Sequence, residues 1–256
     1  MRFGCCTNVD SIGRLESIGY DYVEMPLATI STKTEPEWES ELKRIRANGI
    51  KPEAWNVMLP AEFRVTGAEV DFAKLEKHLD TAYRRAAQAG GRVVVFGCGR
   101  CRTVPEGFSR SEAEKQLREF IFLAGRTAEK YSLRLAIEPL NSRETNIINT
   151  IGEAVAYAAA VNLPSVGVLA DFYHMNEEHE PLSALLDARH YLIHVHVADS
   201  NRRRPGSGNY DYQGFCKSLM EAGYDNRMSI ECVWGEDEDY EQRAALEFLR
   251  KCAEER

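Results

Sequence analysis

Apolar and polar positions alternate over short runs along this chain, and between those runs the apolar residues return at helical spacing. The β-rich runs lie at 2–7 (RFGCCT), 20–27 (YDYVEMPL), 51–59 (KPEAWNVML), 92–99 (RVVVFGCG), 134–140 (RLAIEPL), 166–174 (VGVLADFYH), 192–199 (LIHVHVAD) and 228–234 (MSIECVW). Amphipathic helices are clearest at 71–90, 111–132 and 239–255. Asp10 and Ser11 open the helix after the first strand, and Gly90 and Gly91 close the helix over 71–90, so start and stop signals agree with the periodicity. Strands alternating with helices are the pattern of βα units around a parallel sheet. Eight such units close into an α/β fold, a (β/α)8 TIM barrel, and no linker or low-complexity tract interrupts it, so residues 1–256 are expected to form a single domain. A doubly wound open sheet is the alternative, but no G-x-G-x-x-G follows the first strand.

Barrels of this kind carry their chemistry where the strands end, and four successive strands end in side chains able to bind metal. The fifth gives Glu138, the sixth Asp171 with His174 beyond it, the seventh His194 and His196, and the eighth Glu231. Singly, each has an ordinary explanation as a hydrogen-bonded core histidine or a helix-capping acid. Together they place carboxylates inside apolar runs, where an ionised group is costly unless a partner neutralises it. Three carboxylates and an imidazole suit Mn²⁺, with Co²⁺ or Mg²⁺ as alternatives and zinc less natural. Such an ion would chelate the carbonyl and neighbouring hydroxyl of a keto sugar, and Glu138 and Glu231 could exchange the proton between them through an enediolate. His194 shares the strand face of His196 and is expected one layer deeper, in a structural role.

Hydrophobic residues at 44% and charged residues at 28% describe a globular chain. The formal charge of −8 offers no field for a nucleic-acid backbone. No apolar run approaches membrane-spanning length and the N-terminus has no signal-peptide pattern, so neither a membrane nor export is expected and the location is read as cytoplasmic. The seven cysteines are odd in number and scattered, which predicts reduced thiols; Cys98 and Cys101 form a C-x-x-C without the further ligands of a zinc site and are read as incidental. The acidic run 235–242 is read as a helix start, not a calcium loop.

The segments IEPLNSRETNIINT, DFYHM, HVHVADSNRRRPGSG and IECVW resemble the sugar isomerase/epimerase superfamily of xylose isomerase-like barrels, and within it the ketose 3-epimerases of the D-tagatose and D-psicose type. The resemblance implies a divalent-metal-dependent isomerase acting through a cis-enediolate, with Glu138, Asp171, His196 and Glu231 as metal ligands. It makes Glu138 and Glu231 the acid/base pair, Glu144, His174 and Arg202 the sugar contacts, and the assembly a homodimer or homotetramer. Arg203 and Arg204 stay with a solvated loop. In the first half of the chain Glu24, Trp55 and Asn56 end strands two and three without matching the family's sugar contacts. The competing functions are a hydroxypyruvate isomerase, a sugar-phosphate epimerase using the arginines and the GSG amides, an inosose dehydratase, an endonuclease IV-like enzyme and a sugar-binding barrel without turnover.

Overall fold

Each of the eight β-rich runs forms a strand, and each strand stops short of the C-terminal end of its run. The computed structural model describes residues 1–254, so the last residue of the helix expected over 239–255, like the end of the 1–256 span, lies outside the described residues. The strands are β1 (Arg2–Cys6), β2 (Tyr22–Pro26), β3 (Pro52–Asn56), β4 (Val93–Phe96), β5 (Arg134–Ile137), β6 (Val166–Asp171), β7 (Leu192–Val197) and β8 (Arg227–Ile230). They pair in parallel in chain order and close through β1 and β8, where Arg2 meets Arg227 and Cys5 meets Ile230. The open-sheet alternative is thereby set aside.

The connecting helices are α1 (Ile12–Ile18), α2 (Leu27–Ser31), α3 (Glu35–Arg46), α4 (Phe72–Gln88), α5 (Gly99–Arg102), α6 (Arg110–Lys130), α7 (Ile151–Val161), α8 (Phe172–Glu177), α9 (Ser183–Asp187), α10 (Tyr212–Glu221) and α11 (Glu238–Glu254). The long ones begin where side chains take up free backbone N–H groups: Thr34 and Glu37 form a reciprocal cap on α3, and Asp71, Ser109 and Thr150 cap α4, α6 and α7. The acidic run at 235–242 supplies Glu238, Asp239 and Glu241 to the first turn of α11, where the helix dipole favours them. Among the described residues no helix is long and apolar enough to cross a membrane.

Alternation sorts the strand residues onto two faces. Trp55, Val94, Phe96, Leu135 and Ile137 join the large core shared with the helices, whereas Ala54, Val93, Val95 and Ala136 belong to a separate small cluster with Tyr22 and Leu169. The intervening small residues therefore fill the barrel interior, and the period of two carries Glu24, Gly97 and Glu138 onto that same inward face.

Two expectations are corrected. The sixth strand ends at Asp171 rather than His174, because the Asp171 carboxylate accepts from the backbone N–H groups of Tyr173 (2.7 Å) and His174 (3.3 Å) and starts α8 at once. Cys98 and Cys101, read as free thiols, are joined in a disulfide, while Cys5, Cys6, Cys216, Cys232 and Cys252 stay outside disulfides. The cause is local: the single turn of α5 brings their Cα atoms to 5.4 Å, inside the span a disulfide bridges.

Candidate active site

Glu138 follows β5 directly, and its backbone N–H donates to the Phe96 carbonyl of β4 at 3.2 Å, which seats its side chain over the barrel mouth. The side chain has room because position 97 lacks a Cβ: one built there would fall 1.7 Å from Glu138 Oε2. Asp171 ends β6, His196 lies inside β7, and Glu231 follows β8 with its N–H on the Val197 carbonyl at 3.1 Å. These four side chains bring one ligand atom each to within 4.8 Å of one another. His196 Nδ1 is 3.2 Å from Glu138 Oε1 and 3.5 Å from Glu231 Oε2.

The charges at this point do not balance among themselves. Like charges about 4 Å apart repel by about 4 kcal/mol at an effective dielectric of about 20, and the cluster holds three carboxylates. Burial pushes Asp171 up to about 6 against the attraction of His196 and raises Glu138 likewise. Burial also opposes a charge on His196, but Glu24, Glu231 and Glu138 outweigh it and drive its pKa well above the usual imidazole value. Burial opposes ionisation of Glu231 too, yet His196 prevails and holds it below the usual range. The surroundings thus call for positive charge where four ligand atoms converge, and a divalent cation fits that donor set.

Around this centre stand the residues singled out as sugar contacts. His174 Nδ1 lies 3.1 Å from the Asn141 backbone N, a donor, so the neutral ring carries its proton on Nε2, which faces Arg202 Nη2 at 2.9 Å. Burial lowers the pKa of His174 and keeps the ring neutral. Arg202 also reaches Glu144 Oε1 at 3.4 Å, and its guanidinium lies 4.9 Å from the centre of the Tyr173 ring. Asn141 links the group, with Nδ2 3.1 Å from Glu144 Oε1 and 2.9 Å from His174 Nδ1. Arg202 and its predecessor Asn201 both hold left-handed backbone (φ 56° and 59°), and the Arg202 carbonyl accepts from Val233 N at 2.7 Å. That turn aims the Arg202 side chain back across the mouth. Arg203 stays exposed in the loop, and Arg204 Nη1 donates to the neighbouring Pro205 carbonyl at 3.3 Å.

Three residues gain places that the sequence reading left open. Asn56 donates to Glu231 Oε1 at 3.1 Å. Glu24 is wholly buried, with His194 Nε2 at 2.8 Å and His196 Nε2 at 2.9 Å, one on each oxygen. Cys6 lies beside Asn56 Nδ2 at 3.3 Å, and it forms a second close group with Glu24 and His196, although Glu24's oxygens there are already engaged. Glu24 sits in YVEMPL as Glu138 sits in RLAIEPL, so a carboxylate inside an apolar run was the signal available for it. Trp55 packs on the outer face against the helices and takes no part in the mouth.

Comparison with known proteins places this arrangement. The sequence model of the xylose isomerase-like TIM barrel matches residues 12–252. A 3-dehydro-D-guloside 4-epimerase of Escherichia coli is 31% identical over 184 residues, covering 69% of this chain and 70% of that protein. A ketose 3-epimerase of Arthrobacter globiformis is 38% identical over 111 residues, covering 42% of this chain and 38% of its own. Among solved structures, a D-psicose 3-epimerase with D-tagatose from Clostridium cellulolyticum superposes with a TM-score of 0.87 at 20% identity, covering 99% of this chain and 100% of that one. A 3-keto-D-glucoside 4-epimerase from E. coli superposes at 0.86 with 23% identity, covering 98% and 100%. The last two likenesses speak for the fold, and the sequence matches carry the kinship: the chain belongs to the xylose isomerase-like TIM barrel family, in company with sugar epimerases.

Proposed function

We propose that this chain, an isomerase like its sugar-epimerase relatives, inverts the carbinol carbon next to the ketone of a ketose, as a divalent-cation-dependent ketose 3-epimerase. The observation that carries the reading is the convergence of Glu138, Asp171, His196 and Glu231 within 4.8 Å at the ends of four successive strands. These four would hold the cation; Mn²⁺ suits the oxygen-rich set, with Co²⁺ or Mg²⁺ as alternatives. When bound, the ion draws electron density from the ketone and makes the neighbouring C–H more acidic.

Glu138 and Glu231 are the proton carriers. One carboxylate takes the C3 proton while the electron pair moves toward the ketone oxygen; the other returns a proton to the opposite face of C3. The two roles exchange when the reaction runs backwards. His174 Nε2–H faces another donor, Arg202 Nη2, and a sugar oxygen accepting from both relieves that arrangement. Glu144 accepts from a sugar hydroxyl beside them. Glu138 is almost fully buried, whereas the Glu231 side chain is 30% exposed and gives the pair its contact with solvent protons.

A 4-epimerisation of a 3-keto glycoside is the second reading, favoured by the relative that covers 69% of the chain. It is the same proton exchange beside a ketone, one carbon further along. The family resemblance also supports a cytoplasmic homodimer or homotetramer with a small-molecule partner only. The test is to incubate free ketoses, ketose phosphates and 3-keto glycosides with the Mn²⁺-loaded protein and follow each by NMR. Inversion at C3 of a free ketose is the expected outcome. Turnover confined to an aldose–ketose shift, as on hydroxypyruvate, or to loss of water would refute the assignment.

A further inference from the structure

Below the four converging ligand atoms lies a buried line of polar side chains that the proton exchange does not use. Tyr22 Oη is 2.8 Å from Ser229 Oγ, which is 3.4 Å from His194 Nε2; His194 Nε2 reaches Glu24 Oε2 at 2.8 Å, and Glu24 Oε1 reaches His196 Nε2 at 2.9 Å. Every member is fully buried, and Glu24 crosses the barrel interior from β2 to β7, strands that do not pair with each other. A plain structural role leaves this arrangement unexplained, because an apolar side chain would fill the space without burying a carboxylate.

The geometry of His196 supplies the reason. Its two ring nitrogens face opposite demands: Nε2 meets Glu24, while Nδ1 meets Glu138 Oε1 at 3.2 Å and Glu231 Oε2 at 3.5 Å. If the neutral ring carried its proton on Nδ1, that N–H would donate to Glu138 and occupy the direction in which a cation needs a lone pair. With the proton on Nε2, Nδ1 is open as a ligand. Glu24 is placed to decide between the two states, since a carboxylate oxygen 2.9 Å from Nε2 accepts the proton there and has no counterpart reason to favour the other tautomer. His194 occupies the second oxygen, so the Glu24 carboxylate cannot turn away from His196.

We propose that Glu24 is the positioning residue of the cation site: by accepting from Nε2 of His196 it fixes the tautomer and the ring orientation that present Nδ1 to the metal. The inference rests on the proposed metal-dependent function and adds to it a residue outside the four ligands. His194 acts at one remove, as the clamp on Glu24.

The test measures Mn²⁺ binding to the metal-stripped protein through the EPR signal of free Mn²⁺, together with the thermal unfolding midpoint of each metal-free variant. Glu24→Gln keeps the shape but puts an amide where two ring N–H groups need acceptors, and Glu24→Asp keeps the charge but shortens the reach, so a folding failure of either one leaves the other informative. Both are expected to weaken Mn²⁺ binding by ~10–100-fold, the usual effect of losing such a partner. Ser229→Ala disturbs the same buried line through the Ser229 hydroxyl's contacts to Tyr22 and His194 and leaves the Glu24–His196 contact in place; it is expected to lower the unfolding midpoint and leave Mn²⁺ affinity unchanged. Wild-type affinity in a folded Glu24 variant overturns this inference alone. A wild-type protein that binds no Mn²⁺ overturns the metal-dependent reading and this inference with it.

Discussion

At the scale of the residue, function turns on side chains whose surroundings leave them one orientation. Arg202 stands in left-handed backbone, held by Val233, with its planar head between His174 and Glu144. Arg202→Lys keeps the charge but loses the fork that meets two oxygens at once. Loss of one charge-assisted hydrogen bond corresponds to about 1.5–3 kcal/mol, so kcat/KM is expected to fall roughly 10–100-fold, chiefly through KM, with the unfolding midpoint unchanged. Steady-state kinetics beside a melting curve check this; a full-activity lysine variant would remove Arg202 from the sugar contacts. Residues of this kind were readable in the sequence when they broke an apolar run: Glu138 and Glu231 did so, and Glu24 did so equally. Asn56 broke the run AWNVML but pointed to no role, and Asn141 gave no such sign. Their roles arise from reach across the mouth to Glu231 and to His174, and a residue's reach is set by strand register and closure, which one chain's periodicity does not encode.

At the scale of the element, the barrel was legible from the repeated βα units and the inward face from alternation, whereas strand ends were not. The apolar signal of Met25 to Leu27 and of Asp171 to His174 runs on into α2 and α8, so the runs were read as longer strands than the caps allow. The exit of β4 carries a sharp requirement. A Cβ at position 97 would meet Glu138 Oε2 at 1.7 Å, so Gly97→Ala is expected to displace that carboxylate and lower Mn²⁺ affinity by an order of magnitude or more while the barrel persists. Calorimetric titration of the metal-free variant measures it, and unchanged affinity would exclude Glu138 from the metal site. On α7, the first free backbone N–H belongs to Ile151 and meets Glu180 at 2.9 and 3.2 Å, yet burial dominates and raises Glu180 from its usual 4.5 to about 7. Because the folded state then holds a proton that the unfolded chain has released, Glu180 lowers stability as the pH climbs from about 4.5 to about 7. Urea titrations at pH 5 and pH 7.5 are expected to show a smaller loss on that rise for Glu180→Gln than for wild type, and an equal loss would contradict the reasoning.

At the scale of the molecule, the closed barrel is what lets side chains far apart in sequence share one point. Glu24 on β2 and His196 on β7 meet only because β1 pairs with β8. The disulfide, by contrast, is a product of one short turn and was misread because C-x-x-C alone does not say whether α5 forms between the two cysteines. Closure also concentrates acidic groups that a cation relieves, so binding should couple to folding. At Mn²⁺ about 100 times its dissociation constant the folded state gains about 2.7 kcal/mol, and for a chain of this size that raises the unfolding midpoint by roughly 5–10 °C. Chelation should reverse the rise and abolish turnover, with both restored by Mn²⁺.

The central claim is that Glu138 and Glu231 pass a carbon-bound proton across a ketose held at this mouth. It is tested most directly by incubating a turned-over ketose with the Mn²⁺-loaded protein in D₂O and reading deuterium at C3 by NMR, for wild type, Glu138→Gln and Glu231→Gln. Wild type is expected to incorporate one solvent deuteron at C3 as it inverts that centre, while neither folded variant completes the inversion and any deuterium it takes up stays in the epimer whose C3 proton faces the remaining carboxylate. Inversion at C3 by a folded Glu231→Gln protein would contradict the account.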